Sequence, residues 1–272
     1  MAESEQQLDQ HEGRDARRRV SPRAAVVFEA IRKEGESELA RKSMALFWSG
    51  LAAGLSMGFS FVAETLLSYH LPANADWTQL ITKLGYSVGF LIVVLGRQQL
   101  FTENTLTPML EVFNRLSRHG LTQLARLWSI VLGANMLGAL LFAVAVCYGD
   151  AFSAERLAHF EKVALKGISE DWWTTFAGAI FAGWLIALMV WLMPFAETGR
   201  IWIIIIVTYM VGLGGFGHII AGSVETLYLV VGGKLGVGAW LGSFFVPVLL
   251  GNVIGGVSLV AAVNSAQVKV EA

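Results

Sequence analysis

Residues 95–110, LGRQQLFTENTLTPML, decide how this chain folds. Long apolar runs flank the segment on both sides, yet its middle is polar and includes Arg97, Glu103 and Asn104. In water this segment would be an ordinary loop, whereas in a bilayer every unpaired polar group is costly. The solvent that surrounds the segment therefore determines what it can do.

The composition identifies that solvent. Of the 272 residues, 55% are hydrophobic and 15% are charged, and the mean hydropathy of +0.58 is too high for a soluble domain of this length. Apolar blocks long enough for a spanning helix of roughly 20 residues occupy residues 44–69, 84–114, 127–148, 172–195, 201–231 and 238–262. The sequence therefore predicts an all-α membrane protein with six transmembrane helices, and it lacks the alternation of a transmembrane barrel.

The distribution of Lys and Arg predicts the topology. One side of the predicted membrane domain carries 14 of these residues and the other carries five, so the positive-inside rule places both termini in the cytoplasm. We expect the membrane to be a bacterial inner (plasma) membrane. Residues 1–43 are polar and charged, so we expect them to form a solvated cytoplasmic tail, with Arg17–Arg19 near anionic headgroups. They lack the apolar core of a cleavable signal peptide. The membrane domain is expected over residues 44–265, and residues 266–272 are expected to form a short cytoplasmic tail.

The second and fifth blocks are too long for straight helices. Each has 31 residues, which would extend about 46 Å as a helix, whereas the hydrocarbon core is about 30 Å thick. We expect both helices to break, the second at the polar run and the fifth at GLGGFGHIIAGSVE, residues 212–225. Thr107 before Pro108, and Ser223 with Glu225, are typical of helix starts after the breaks.

The chain also contains an internal repeat. GANMLGALLF around Asn135 and LGNVIGGVSL around Asn252 each follow a predicted break, and the two asparagines are 117 residues apart. The same offset relates Phe101 to His218. Two halves of three helices each must have opposite orientations, and inverted repeats with broken helices enclose a pathway through the bilayer. We expect Asn135 and Asn252 to bind the broken backbone of their own halves.

Three segments resemble the formate/nitrite transporter family. LGRQQLFTENTL, AGWLIALMVWL and GFGHIIAGS are similar to the signatures of its second, fourth and fifth helices, and the resemblance covers the chain from about residue 40. It implies a homopentamer of six-helix, aquaporin-like protomers that conduct small monovalent anions such as formate, nitrite or hydrosulfide. Four departures from the family pattern, which resemble its divergent YfdC-like branch, are Gln99, Glu103, Gly183 and Gly222.

The resemblance also implies the path residues. Leu100, Phe101 and Thr102 match one constriction, Phe90 and Val211 match the other, and His218 matches the central histidine. The residues themselves favour a functional His218, because ionisable groups at membrane depth are expensive, although a histidine that donates to a backbone carbonyl is the alternative. A bare anion would lose its hydration at an apolar ring, so crossing as the conjugate acid costs less. Whether His218 transfers that proton or only orients the anion is left open by the sequence.

The polar residues of the second break have two further interpretations. Thr102 and Asn104 offer donors to an anion near the positive end of the restarted helix. Glu103 would repel an anion, so we expect it to pair with Arg97 and hold the loop; the alternative is a protonated Glu103 that shuttles protons. With Cys147 as the only cysteine, no disulfide is possible, and no metal, cofactor or nucleic acid is expected.

Two other functions are compatible with the sequence. The segment GLSMG, residues 54–58, fits the G-x-S-x-G pattern, so a six-helix intramembrane serine protease could use Ser56 and His218 as nucleophile and base. That pattern normally needs a strand, a turn and a helix, whereas this segment lies in an apolar helix. Replacing Ser56 by alanine would inactivate a protease but not a channel. A membrane scaffold without transport is the third possibility.

Overall fold

The computed structural model describes residues 23–168, 170–262 and 266, and within them it contains helices and no strand. For residues 259–262 it describes the backbone alone. The helices are α1 (Ala24–Ala40), α2 (Ser43–His70), α3 (Thr78–Leu95), α4 (Thr107–Asn114), α5 (Arg118–Tyr148), α6 (Ala154–Lys166), α7 (Trp172–Leu192), α8 (Arg200–Leu213), α9 (Ala221–Val231) and α10, which begins at Val237 and ends with π-helical turns over Gly255–Ala262.

The prediction of six spans is confirmed. Five helices of the described chain are long and apolar enough to cross a membrane, namely α2, α3, α5, α7 and α10. The shorter apolar helices α8 and α9 follow one another and together form the remaining span. The second and fifth spans are both interrupted, because α3 ends at Leu95 before α4 begins at Thr107, and α8 ends at Leu213 before α9 begins at Ala221. Both breaks lie in the segments that the sequence predicts.

The two halves repeat the same packing. In the first half α2 packs along α5, and in the second half α7 packs along α10. At each crossing a glycine packs against the main chain of the repeated asparagine. A Cβ on Gly54 would collide with the main chain of Asn135, and a Cβ on Gly183 would collide with that of Asn252. These glycines allow the close approach that places each asparagine beside its own break.

The helices α3 and α8 end in the same way. Gln98 N–H donates to Val93 O at 3.0 Å, and Phe216 N–H donates to Val211 O at 3.0 Å. The residue before each of these donors is left-handed, with φ of 51° at Arg97 and 65° at Gly215, as in a helix end of the Schellman type.

This correspondence changes the register of the repeat. Arg97 and Gly215 are 118 residues apart, one more than the asparagines. His218 therefore corresponds to Leu100, and the predicted match of Phe101 with His218 is wrong by one residue.

Asn135 holds the first break. Its side-chain oxygen accepts a hydrogen bond from Phe101 N–H at 2.9 Å. Its amide donates to the carbonyls of Gly50 at 2.7 Å and Gln99 at 2.9 Å. Asn135 is fully buried, so these three bonds replace the helical bonds that the interrupted backbone has lost.

Asn252 holds the second break with the same three bonds. Its side-chain oxygen accepts from Ile219 N–H at 2.8 Å, and its amide donates to the carbonyls of Ala179 and Gly217, both at 2.8 Å. Because each fork joins a broken span to the helix before it in its own half, the inverted repeat is also a repeat of hydrogen bonding.

The expected helix starts are only partly correct. Pro108 lies in the first turn of α4, as predicted, but no side chain caps that helix. The cap predicted at Ser223 is wrong, because α9 begins at Ala221 and Ser223 lies inside it. The ring nitrogen Nδ1 of His218 takes that role, since it accepts the backbone N–H groups of Ile220 at 3.3 Å and Ala221 at 3.2 Å.

Residues 24–40 are not the solvated tail that the sequence predicts. They form α1, which buries Ile31, Gly35 and Leu39 and packs along α4. Arg32 forms an ion pair with Glu111 of α4. The sequence conceals this contact because α1 is polar overall and its apolar positions are few. The predictions for residues 1–22, including Arg17–Arg19, and for residues 267–272 lie outside the described residues.

We predict that Asn135→Ala and Asn252→Ala each destabilise the protein by about 1 to 3 kcal/mol for every buried backbone group left unpaired. The measurement is the thermal unfolding midpoint of the purified protein in detergent. Gly133→Ala, on the same helix as Asn135, is the control because a Cβ there would meet nothing within 4 Å. Unfolding midpoints equal to that of the wild type in both asparagine variants would contradict the assigned role.

Candidate functional site: the passage between the two breaks

The two breaks meet at a buried hydrogen bond. His218 Nε2, from the second break, lies 2.8 Å from Thr102 Oγ1, from the first. Both side chains are buried, with exposed fractions of 1% and 0%. The structure thus joins two residues that the sequence separates by 116 positions, and it places them at the centre of the inverted repeat.

The surroundings of His218 determine its tautomer. Nδ1 accepts two backbone N–H groups at the start of α9, so this nitrogen must present its lone pair. A neutral imidazole carries its hydrogen on the other nitrogen. His218 therefore donates from Nε2 to Thr102 Oγ1, and the hydroxyl hydrogen of Thr102 can be donated to a further acceptor.

Apolar rings enclose one side of this pair. The ring of Phe90 contacts the His218 ring edge to face, with centroids 4.9 Å apart, and Tyr86 lies against Phe90 at 5.4 Å. Tyr86 is 6% exposed and also contacts the backbone at Gly212. Tyr86 is not among the path residues that the sequence predicts, although its position one helical turn before Phe90 places both rings on the same face of α3.

The other predicted constriction residues are buried nearby. Leu100 and Val211 have no exposed surface and belong to the same hydrophobic cluster as Phe90. Phe101 also belongs to it, with its ring edge-on to Trp128 of α5 at 5.7 Å. The predicted constriction residues thus all lie in the buried apolar core, and Phe90 is the one for which a contact with His218 is observed among the described residues.

The first break is braced by hydrogen bonds among its polar side chains. Asn104 donates from its amide to the Gln99 side-chain oxygen at 2.9 Å, and Trp128 Nε1–H donates to Asn104 O at 2.9 Å. Gln99 N–H donates to Ser49 Oγ at 3.1 Å. Asn104, predicted to serve the substrate path, is therefore bonded within the loop and also borders the adjoining cavity.

The predicted ion pair between Glu103 and Arg97 is not formed. Glu103 Oε1 is buried and has no hydrogen-bond partner among the described residues, and no ion pair joins it to Arg97 there. Both residues instead line the cavity on the α1 side of the passage. The left-handed backbone at Arg97 and its exposed side chain account for the difference, since sequence spacing alone does not show where the side chain goes.

That cavity, which we call the vestibule, has a volume of about 470 Å³. It contains the charged side chains of α1, the first break and α8, namely Glu34, Glu38, Arg41, Arg97, Glu103 and Arg200. The α1 helix forms part of its wall, and Arg126 Nη2 fixes the end of α1 by donating to Leu39 O at 2.7 Å and Arg41 O at 3.0 Å. Because three arginines stand beside three glutamates there, the formal charges of the lining balance, and the guanidinium groups are the part of it that can contact an anion.

The sequence matches a family model. The model described as Formate/nitrite transporter covers residues 25–266. The chain belongs to the formate/nitrite transporter family. It is a multi-pass membrane transport protein and not an enzyme. The family match confirms the resemblance of the three segments.

Individual members of the formate/nitrite transporter family are also similar. The inner membrane protein YfdC of Escherichia coli strain K12 is 41% identical over 251 residues, which are 92% of this chain and 81% of that protein. The formate channel FocA of Haemophilus influenzae is 28% identical over 64% of this chain and 63% of its own. Among solved structures, an "FNT family ion channel" matches with a TM-score of 0.77 at 17% identity, over 89% of this chain and 98% of that one.

A second solved structure, a "Pentameric formate channel with formate bound", matches with a TM-score of 0.67 at 20% identity, over 83% of this chain and 97% of that one. At these identities the two structures show the fold alone. They agree with the six-helix architecture found here.

The protease alternative is wrong. Membership of the transporter family excludes it, and the geometry gives a reason. His218 uses Nε2 for Thr102 and Nδ1 for the backbone of α9, so neither ring nitrogen is bonded to Ser56. A nucleophile and its base must lie within hydrogen-bonding distance of each other.

Two carboxyl groups of α1 respond to pH in opposite ways. Burial raises the pKa of Glu38 above its usual 4.5, and Arg41 opposes the shift only in part. The hydrogen bond from Arg32 lowers the pKa of Glu29 below 4.5. The docked α1 therefore binds a proton at Glu38 more tightly than the undocked helix does. The ionised Glu29 stabilises the docked helix, and this contribution is lost only in stronger acid.

We predict that docking of α1 strengthens as the pH falls through the raised pKa of Glu38 towards 4.5, because the cost of its buried charge disappears there. Hydrogen exchange of the amides of residues 24–40, corrected for the intrinsic rate, measures the docking. Glu38→Gln should be protected at neutral pH and should respond less to acid. Glu36→Gln, on the exposed face, loses only a 3.5 Å pair with Arg32 and should keep the acid response of the wild type. Weaker protection of the wild type on acidification would contradict the prediction.

Proposed function

We propose that the chain conducts a small monovalent anion, such as formate, nitrite or a similar weak-acid anion, and that the anion crosses the constriction as its conjugate acid. The observation that carries this proposal is the buried hydrogen bond between Thr102 and His218 at the meeting point of two broken helices. The names of the family and of the formate channels similar to this chain support the substrate class.

The apolar rings favour a neutral permeant. Phe90 lies against the His218 ring, and Leu100 and Val211 are buried in the same hydrophobic cluster. Such side chains cannot replace the hydration of an ion. Moving an unpaired charge from water into such surroundings costs far more free energy than moving a neutral polar molecule there. A weak acid can lower this cost by binding a proton before it enters, whereas chloride cannot.

The Thr102–His218 pair gives the neutral acid or its anion a hydrogen-bond donor inside the constriction. His218 donates to Thr102, which directs the hydroxyl hydrogen of Thr102 away from the ring and towards a substrate oxygen. In this arrangement His218 orients the donor and supplies no proton, because Nδ1 is occupied by the start of α9. A neutral ring that lost its Nε2 hydrogen would become an imidazolate, which is too basic to form here.

The vestibule and the topology complete the proposal. Arg41, Arg97 and Arg200 line the mouth on the α1 side, where they offer guanidinium donors to an anion although Glu34, Glu38 and Glu103 balance their charge. The excess of Lys and Arg on that side supports cytoplasmic termini, and similarity to an inner membrane protein supports placement in the bacterial inner membrane.

The flux through liposomes containing the purified protein tests the proposal. Wild-type protein should conduct formate, nitrite and acetate faster than chloride, measured by stopped flow with an enclosed pH dye. Thr102→Val keeps the shape but removes the donor, so we expect formate flux to fall at least about tenfold, with recovery in Thr102→Ser. His218→Ala should also reduce the flux, whereas His119→Ala, an exposed histidine outside the passage, should have no effect.

Two outcomes would count against this function. Flux of Thr102→Val equal to that of the wild type would remove the role of the hydroxyl donor. The absence of wild-type flux with every weak acid would favour a membrane scaffold that does not transport.

The proposal includes a homopentamer in which each protomer has its own passage, supported by the similarity in fold to a pentameric formate channel. Closed cyclic symmetry fits a membrane channel because all copies then have the same orientation in the bilayer. Native mass spectrometry of the protein released from detergent should give the mass of five chains. A mass of one or two chains under conditions that preserve flux would contradict this assembly.

A further inference from the structure

Three charged side chains lie on the side of the constriction remote from α1. They are Glu64 of α2, Lys83 of α3 and Glu225 of α9, and we call them the far-side cluster. Glu64 lies 21 residues along α2 from Ser43, a rise of about 31 Å, so it is near the opposite membrane face from the vestibule. The passage already described uses none of these residues.

The contacts within the far-side cluster leave acceptors unused. Glu64 is 4% exposed. Its Oε1 pairs with Lys83 Nζ, while its Oε2 is buried and has no hydrogen-bond partner among the described residues. Glu225 lies on α9, which packs against α2, and it is within electrostatic range of Glu64 and Lys83. Its Oε2 lies 3.5 Å from the position that a Cβ on Gly167 would take.

The far-side cluster adjoins the constriction. Ser60, one helical turn before Glu64, donates from Oγ to Tyr86 O at 2.5 Å and accepts from Gly89 N–H at 3.0 Å. These bonds fix the start of α3 against α2, so that Lys83 and Tyr86 face Glu64. From Tyr86 the rings of Phe90 and then His218 follow in contact.

The same helices carry further polar atoms without partners. Buried hydroxyls of the described residues that form no hydrogen bond include those of Thr65, Thr82 and Ser223, which lie on α2, α3 and α9 respectively. Buried polar groups are normally paired. A polar site on three helices in the outer half of a membrane protein, with acceptors left over, fits the binding of a small polar species.

The charges indicate which species this is. One ammonium group balances one carboxylate, so a second carboxylate beside them would be an uncompensated buried charge. Two carboxyl groups that share a site hold a proton between them more readily than they both ionise. The loaded cluster, with Lys83 charged and one proton on the carboxyl groups, is electrically neutral and does not repel an anion.

We propose that Glu64, Lys83 and Glu225 form a proton-donor site, in which the shared proton passes to a weak-acid anion arriving from the far side. This inference rests on the proposed transport of weak acids and adds to it the source of the proton. His218 cannot be that source in the observed arrangement, because its Nδ1 caps α9.

The transfer balances in atoms and charge. An O–H bond of the carboxylic acid in the cluster breaks, and an O–H bond to the substrate oxygen forms, so the substrate becomes neutral and the cluster carries the negative charge. Lys83 stabilises the new carboxylate, and water on the far side returns the proton. The anion becomes a better acceptor as it loses water against the rings of Tyr86 and Phe90, since desolvation disfavours its charged form.

Other titratable groups also lie near α9. Those on the elements packed against it include Cys147 of α5 and, on α6, His159, Glu161, Lys162 and Lys166, while Tyr228 belongs to α9 itself. Glu161 pairs with Lys234 at 3.1 Å, and Tyr228 donates to Leu157 O at 2.9 Å. A pH dependence carried by the far-side cluster must therefore disappear when Glu225 alone is neutralised.

The test is formate uptake by liposomes containing the full-length protein, with internal pH recorded from about pH 5 to about pH 8 outside. Glu225→Gln should lose at least about tenfold in formate-dependent proton uptake, and its rate should no longer depend on external pH. Glu225→Asp should recover part of both. Glu161→Gln, another carboxylate on the far side, should match the wild type.

The outcomes separate this inference from the proposed function. If Glu225→Gln conducts formate at the wild-type rate and with the wild-type pH profile, the proton-donor site is overturned and weak-acid transport remains intact. No wild-type flux of any weak acid would instead defeat the proposed function.

A second measurement uses the wild type and does not depend on the folding of a variant. A hydrophobic carbodiimide reacts with protonated carboxyl groups, so mass spectrometry after treatment at about pH 7 should show label on Glu64 or Glu225 and none on Glu161. Absence of label from both cluster residues would overturn the inference.

Discussion

Everything in this fold depends on keeping the interrupted backbone hydrogen-bonded inside the bilayer. A broken helix exposes N–H and C=O groups where no water can pair with them. Asn135 and Asn252 each supply one acceptor and two donors to such a break. Because both asparagines are anchored by close helix crossings at Gly54 and Gly183, the two breaks are held facing each other and a passage can form between them.

The fold could be predicted from the sequence to the level of the broken spans. Block length, the polar run and the glycines around His218 each signal an interruption, and these signals depend only on local composition. The one-residue error in the repeat arose because the asparagine motifs and the loops have different offsets. An extra residue between a loop and its asparagine leaves no mark in either motif, so the true register is revealed by the hydrogen bonds at the helix ends and at the two asparagines.

The centre of the site was easier to anticipate than its surroundings. The resemblance placed His218, Thr102 and Phe90 in one path, and these three are in contact in the structure. The capping role of His218 was not foreseen, because sequence rules expect a serine or threonine there. A structural and a functional role coincide in this residue, as its ring both starts α9 and fixes the donor direction of Thr102.

The charged groups away from the centre were the least predictable. Glu64 and Lys83 are 19 residues apart and Glu225 lies in the other half of the chain, so nothing in the linear order connects them. Arg97 and Glu103 show the converse, since six residues of separation indicated a pair that the backbone does not allow. Tertiary geometry decides such contacts, and helix periodicity does not extend through a broken span.

The backbone at Arg97 has a further meaning. Its counterpart in the second half is a glycine, the residue that adopts a left-handed conformation without steric cost. Arginine in the same conformation costs about 1 to 2 kcal/mol, so this position is held against the local preference of the chain. Other contacts of the fold must offset this strain, and a glycine at position 97 would relieve it only by removing a guanidinium group from the lining of the vestibule.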